Sequence, residues 1–144
     1  MFTQIKDILF NHKNVEEHMN QTILTVEDNE IDRILIEKIL TKAGYKVRLA
    51  VDGAKGLESI KEVRPDLIVL DCEMPVMGGV EMCRRLKENQ ATASIPVLFL
   101  TSVDTPKNII ECFELDAENY LNKPISAKLL LSEVEAILKE HKTT

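Results

Sequence analysis

The sequence predicts an α/β fold: a doubly wound parallel sheet of five strands with helices on both faces. Three observations predict it. From residue 22 onward, short apolar runs alternate five times with segments of helical period. Each connection between runs is long enough for a parallel crossover. The central run, Leu67 to Leu70, is apolar throughout, as a strand buried on both faces must be.

Ile23 to Val26 is the first strand-type run. Ile31, Ile34, Leu35, Ile39 and Leu40 then recur at helical spacing, and Ala43-Gly44 closes that segment with a C-terminal glycine. Tyr45 to Val51 alternates as a second strand. Asp52 caps a helix with Ala54, Leu57, Ile60 and Val63 on one face, which ends before Pro65. After Leu67 to Leu70 comes a loop with Pro75 and Gly78-Gly79, then a helix carrying Val80, Met82, Cys83 and Leu86. Pro96 introduces strand Val97 to Leu100. Thr105-Pro106 reads as an N-cap followed by proline at the first helical position, leading into Ile109, Ile110 and Phe113. Asn119 to Leu121 makes a short fifth strand. Ser126 caps the last helix, with Leu130, Val134, Ile137 and Leu138 inward.

The bulk numbers exclude several classes. A chain of 144 residues is one domain with room for a sizeable core. A net charge of −6 opposes nucleic-acid binding. No apolar run approaches the roughly 20 residues of a membrane span, and MFTQIKDILF has no signal-peptide core, so the expectation is a cytoplasmic protein. Cys72, Cys83 and Cys112 have no CxxC spacing and read as buried apolar residues in a reducing compartment. His12, His18 and His141 lack metal-ligand spacing and read as surface residues.

In a parallel sheet the ligand site lies at the carboxyl ends of the strands. Glu27 and Asp28 follow the first strand, Asp71 the third, Thr101 and Ser102 the fourth, and Lys123-Pro124 the fifth. Three carboxylates, a hydroxyl and an ammonium therefore share one rim. Two unit charges 4 Å apart repel by roughly 4 kcal/mol at an effective dielectric of 20. Three ionised acids need a cation, and an all-oxygen shell with open positions suits Mg²⁺. A carboxylate-held cation beside a lysine and a hydroxyl is a phosphoryl site in outline, in which one carboxylate can act as nucleophile.

VEDNE, DLIVLDCEMPVMGG, PVLFLTS and NYLNKP resemble, in order and at matching spacing, the signature segments of the receiver domains of two-component response regulators, the chemotaxis regulators among them. The resemblance covers roughly residues 22 to 140. It implies the flavodoxin-like strand order 2-1-3-4-5, which the spacing itself does not give. It implies that Asp71 is the phospho-acceptor, taking a phosphoryl group from a histidine kinase or phosphotransfer protein. Glu27, Asp28, Asp71 and the backbone carbonyl of Glu73 would hold Mg²⁺. Thr101 would be the switch hydroxyl, Tyr120 the aromatic that turns inward when it moves, and Lys123, with a cis bond to Pro124, the phosphoryl-binding lysine. Glu73 and Val103 match positions that tune phosphoryl lifetime, and Gly78 stands where an acid is common.

The resemblance also implies a switching face made by the fourth helix, fifth strand and fifth helix. Leu129, Leu130 and Leu131 cannot all face one core, so at least one lies exposed there, toward a protein target or a second copy. Two other readings compete. A receiver-like scaffold would act by protein contacts without phosphorylation, but that goes with a lost acceptor or lysine, and both are present. A haloacid-dehalogenase-type phosphatase would need an aspartate two residues past Asp71, where Glu73 stands, and a cap insertion for which there is little space. VEDNE resembles free receivers and receivers attached to hybrid kinases equally. Residues 1–21 lie outside the resemblance. Phe2, Ile5, Leu9, His12, Val15 or Glu16 and Met19 sit near helical spacing, so this N-terminal extension is either an amphipathic helix or a loosely ordered leader, ahead of a receiver domain spanning 22–144.

Overall fold

The computed structural model describes residues 18–102 and 106–142. Five strands, β1 (Thr22–Val26), β2 (Lys46–Ala50), β3 (Leu67–Leu70), β4 (Val97–Thr101) and β5 (Asn119–Asn122), form one parallel sheet in the order 2-1-3-4-5. Five helices connect and follow them: α1 (Glu30–Lys42), α2 (Gly53–Glu62), α3 (Gly79–Glu88), α4 (Pro106–Glu114) and α5 (Ala127–Lys142). Strand order and element types agree with the sequence expectation.

Alternate residues of the buried strands feed two cores. Leu24, Val26, Ile68, Leu70, Val97 and Phe99 join Met82, Cys83, Leu86 and Cys112 on one face. Ile23, Leu67, Val69, Leu98 and Leu100 join Ile36, Leu40, Leu130 and Val134 on the other. Helices thus cover both faces of the central strands, and the strand ends are left as the place where polar groups can converge.

Local signals set the element ends. Asn29 Oδ1 accepts from the Asp32 N–H at 2.9 Å and Asp52 Oδ1 from Lys55 N–H at 2.9 Å, capping α1 and α2. Helix α1 ends as a Schellman turn: Gly44, at φ 105°, donates to Thr41 O, and Tyr45 donates to Leu40 O. Ser126 Oγ accepts from Leu129 N–H at 3.2 Å at the start of α5.

Several helix faces differ from the periodicity reading. In α1 the inward residues are Ile36 and Leu40, whereas Ile31, Ile34 and Leu35 are exposed. Ile34-Leu35-Ile36 is a continuous apolar triplet, and only one of three neighbours about 100° apart can face the sheet squarely. Among the described side chains of α4, Cys112 is buried while Ile110 and Phe113 are exposed; Val63, after α2, is exposed too. His18 is a further correction. It is buried, stacks on Tyr45 with ring centroids 4.2 Å apart, and places Nδ1 3.0 Å from Ala43 O. The packed unit therefore reaches back to His18, and Met19, expected on the N-terminal apolar stripe, is exposed; the rest of that amphipathic helix, His12, the Thr105 cap and Val103 lie outside the described residues. The three cysteines are buried thiols, as expected.

The loop after β3 carries one strained residue. Val76 follows Pro75 with φ 71° and is 87% exposed. A β-branched residue in the left-handed region costs roughly 1–2 kcal/mol, and here no packing offsets it. Val76→Asn is expected to stabilise the fold by about 1 kcal/mol, raising the melting temperature by roughly 3–5 °C. An unchanged or lower melting temperature for both the Asn and Gly variants would refute the strain.

Candidate functional site at the carboxyl ends of the strands

Main-chain registration brings the acids together. Glu27 extends β1 by donating its N–H to Ala50 O at 3.0 Å, and Asp71 extends β3 by donating to Val26 O at 3.1 Å. Lys123 leaves β5 with its N–H bonded to Thr101 O at 2.9 Å. The turn after β1 is held by Arg33, whose Nη1 donates to the carbonyls of Glu27 (3.0 Å) and Asp28 (3.2 Å). Glu27 Oε2 accepts from Asn29 N–H at 3.1 Å, which fixes the carboxylate against the start of α1.

One oxygen each from Glu27, Asp28 and Asp71 lies within 4.8 Å of the others. Glu27 and Asp71 are buried and Asp28 is exposed. The donor set is all carboxylate oxygen, open on the Asp28 side, and so suits a hard divalent cation. Burial pushes the Glu27 carboxyl up to about 7, despite the opposing hydrogen bond from Lys123 and that from the Asn29 N–H. A divalent cation would return it to the ionised form.

Lys123 is the counter-charge. Its ammonium is hydrogen-bonded to Glu27, lies 2.9 Å from Asp32 Oδ2, and is 3.6 Å from Asp71 Oδ2. Burial opposes its charge, but the bonds to Glu27 and Asp32 and the charge of Asp71 outweigh this, so the lysine is held firmly protonated.

Four predicted residues, Glu27, Asp28, Asp71 and Lys123, thus converge as the sequence suggested. Thr101 is fully buried at the end of β4. Burial drives the Cys72 thiol well above its ordinary range, against a hydrogen bond with Thr101; the hydroxyl therefore lies beside the residue that follows Asp71. Tyr120, paired in register with Phe99, is partly buried against the core that holds Cys72 and Cys112. Glu73 and Ser102 are exposed, and the Lys123-Pro124 bond is cis. Sequence reasoning missed Asp32 and Arg33. Their signal was position alone: both lie in the first turn of α1, one helical turn beyond the acid pair.

A family model described as the response regulator receiver domain matches residues 23–135. The DNA-binding dual master transcriptional regulator RpaA of Synechocystis is 38% identical over 117 residues, covering 81% of this chain and 48% of that protein. The signal receiver domain of a signal transduction histidine kinase from Syntrophus aciditrophicus superposes with a TM-score of 0.80 at 32% identity, covering 86% of this chain and 94% of that one. Chemotaxis protein CheY4 of Vibrio cholerae gives a TM-score of 0.77 at 30% identity, covering 81% and 98%. The chain spans about half the length of the curated relatives it matches. The charge argument against nucleic acid therefore concerns this acidic domain only. Among the described residues no helix is long and apolar enough to cross a membrane.

Proposed function

We propose, because this chain belongs to the response regulator receiver domain family, that it is a phospho-accepting switch whose acceptor is Asp71. The donor is the phosphohistidine of a kinase or phosphotransfer protein. An Asp71 oxygen forms the new P–O bond while the P–N bond to the donor imidazole breaks, its electron pair returning to nitrogen. The observation that carries this reading is the meeting of Glu27, Asp28 and Asp71 within 4.8 Å beside Lys123. Three clustered acids, only two of them in contact with the ammonium, are an unfavourable resting arrangement, and a phosphoryl chemistry explains why they are kept.

Glu27, Asp28 and Asp71 would hold Mg²⁺, with the Glu73 carbonyl as a further ligand. When bound, the cation would neutralise the acids and screen the phosphoryl oxygens. Lys123 donates to one of those oxygens. Thr101 turns its hydroxyl from Cys72 toward another, and the Tyr120 ring follows into the space released. Glu73 and Val103, each two residues past the acceptor or the switch hydroxyl in sequence, set how long the phosphoryl group survives. The face that reports the change is formed by α4, β5 and α5. Ile110, Phe113 and Leu129 are each about half exposed there, which suits a protein target or a second copy. A scaffold without phosphorylation has no use for the intact acceptor and lysine.

Acetyl phosphate with Mg²⁺ is expected to raise the intact mass by one phosphoryl group, and EDTA to abolish the gain. A chain that stays unlabelled with Mg²⁺ present would sink the mechanism.

A further inference from the structure

Asp32 is a titratable side chain at the rim to which the phosphoryl reading gives no part. It is half-buried, in the first turn of α1, and its main chain is fixed by the Asn29 cap at 2.9 Å. Its Oδ2 accepts from Lys123 Nζ at 2.9 Å across 91 residues of sequence. An ammonium has three N–H donors. Glu27 and Asp32 take two of them, and Asp71 stands at 3.6 Å, beyond a proper hydrogen bond. The lysine is therefore drawn to the α1 side of the rim, and its third donor is left for the acceptor's surroundings.

We propose that Asp32 is the positioning residue for Lys123: together with Glu27 it holds the ammonium off Asp71, keeping the acceptor oxygen and the cation position clear. The inference rests on Asp71 being the acceptor. Without the Asp32 charge, Lys123 closes from its 3.6 Å contact onto Asp71 as a hydrogen-bonded ion pair. That pair masks the nucleophile and competes with a divalent cation for the same carboxylate. Asp32 touches neither reacting atom; it acts through the lysine.

The consequence is a coupling that a general field effect does not produce. Removing one negative charge from the rim weakens cation binding by a similar factor whatever occupies position 123. Releasing Lys123 weakens it further only while the lysine is there. The experiment is a double-mutant cycle on Mg²⁺ affinity by titration calorimetry, on the unphosphorylated full chain. Asp32→Asn is expected to weaken Mg²⁺ about fivefold to tenfold in the parent and less than about twofold in Lys123→Met, the excess being a coupling of ordinary size for groups in contact. Asp32→Glu, which can still reach the ammonium, is expected to recover most of the loss. The rate of labelling by acetyl phosphate should fall with Asp32→Asn and recover with Asp32→Glu. Equal factors in the two backgrounds, no change, or tighter binding would each overturn the positioning role. A parent that binds Mg²⁺ with this coupling but takes no label would instead overturn the acceptor assignment, so the two failures are distinguishable.

Discussion

Asp71→Asn is expected to take no phosphoryl group from acetyl phosphate, and to be more stable than the parent when Mg²⁺ is removed. The first effect is complete, because an amide oxygen is not a nucleophile toward phosphorus at neutral pH. The second follows from the crowding at the rim. Asp71 is 7% exposed and shares a 4.8 Å cluster with Glu27 and Asp28. Like charges at such distances repel by up to roughly 4 kcal/mol at an effective dielectric of 20. Lys123, at 3.6 Å, offsets only part of this, since its hydrogen bonds go to Glu27 and Asp32. The neutral amide removes the repulsion and the desolvation of a charge, while Lys123 keeps Glu27 and Asp32 as partners, so the net change is a gain. Saturating Mg²⁺ reverses the order. A ligand at one hundred times its Kd stabilises the protein that binds it by about 2.7 kcal/mol, and the Asn variant has lost one carboxylate ligand. Melting temperatures plotted against Mg²⁺ concentration should therefore cross. An Asn variant that melts below the parent in EDTA would show that Asp71 is stabilising without a cation, against the electrostatic reading.

The strand ends were legible in the sequence because buried strands leave little freedom. Leu67 to Leu70 has no polar residue to place, so the first acid after it, Asp71, had to emerge at the rim. Glu27 followed from the same logic on β1, whereas Lys123 was placed only by its position just after the short, partly buried β5. Surface helices gave less. The apolar triplet of α1 offers three nearly equivalent inward faces, and the choice of Ile36 over Ile34 and Leu35 is made by packing against the sheet. On α4, Ile110 and Phe113 recur at helical spacing yet lie outward, while Cys112 between them is buried. Asp32 was invisible for a different reason: an acid in the first turn of a helix is favoured there by the helix dipole alone. Only its contact with a lysine 91 residues away shows a second role.

Gly79→Ala is expected to be the most damaging single-methyl change in the domain. A Cβ at Gly79 would sit 1.8 Å from the carbonyl oxygen of Asp71 and 2.8 Å from its carbonyl carbon. These are main-chain atoms of the acceptor, so no side-chain rotation relieves the clash. To reach even 3 Å the start of α3 must withdraw by about 1 Å, an ordinary response to overpacking. That movement loosens the Gly79 N–H bond to Cys72 O, now 2.9 Å, and unseats Met82, Cys83 and Leu86 from the core behind β3. The expected cost is about 3 kcal/mol, at the upper end for overpacking. If the acceptor strand yields instead of the helix, Asp71 is displaced by a similar distance, and misplacement of that size lowers labelling about a hundredfold. Two neighbours serve as comparisons. A Cβ at Gly78 meets only Cys72 O, at 3.0 Å, and one at Gly56 meets chiefly the flexible end of Met82, at 2.7 Å. Both changes should cost less than Gly79→Ala in urea denaturation and leave more of the labelling rate. A Gly79→Ala chain within about 1 kcal/mol of the parent and labelled at the parent rate would mean that α3 does not press on the acceptor's backbone. The methyl group is a direct gauge of how closely the helix buttresses the reacting strand.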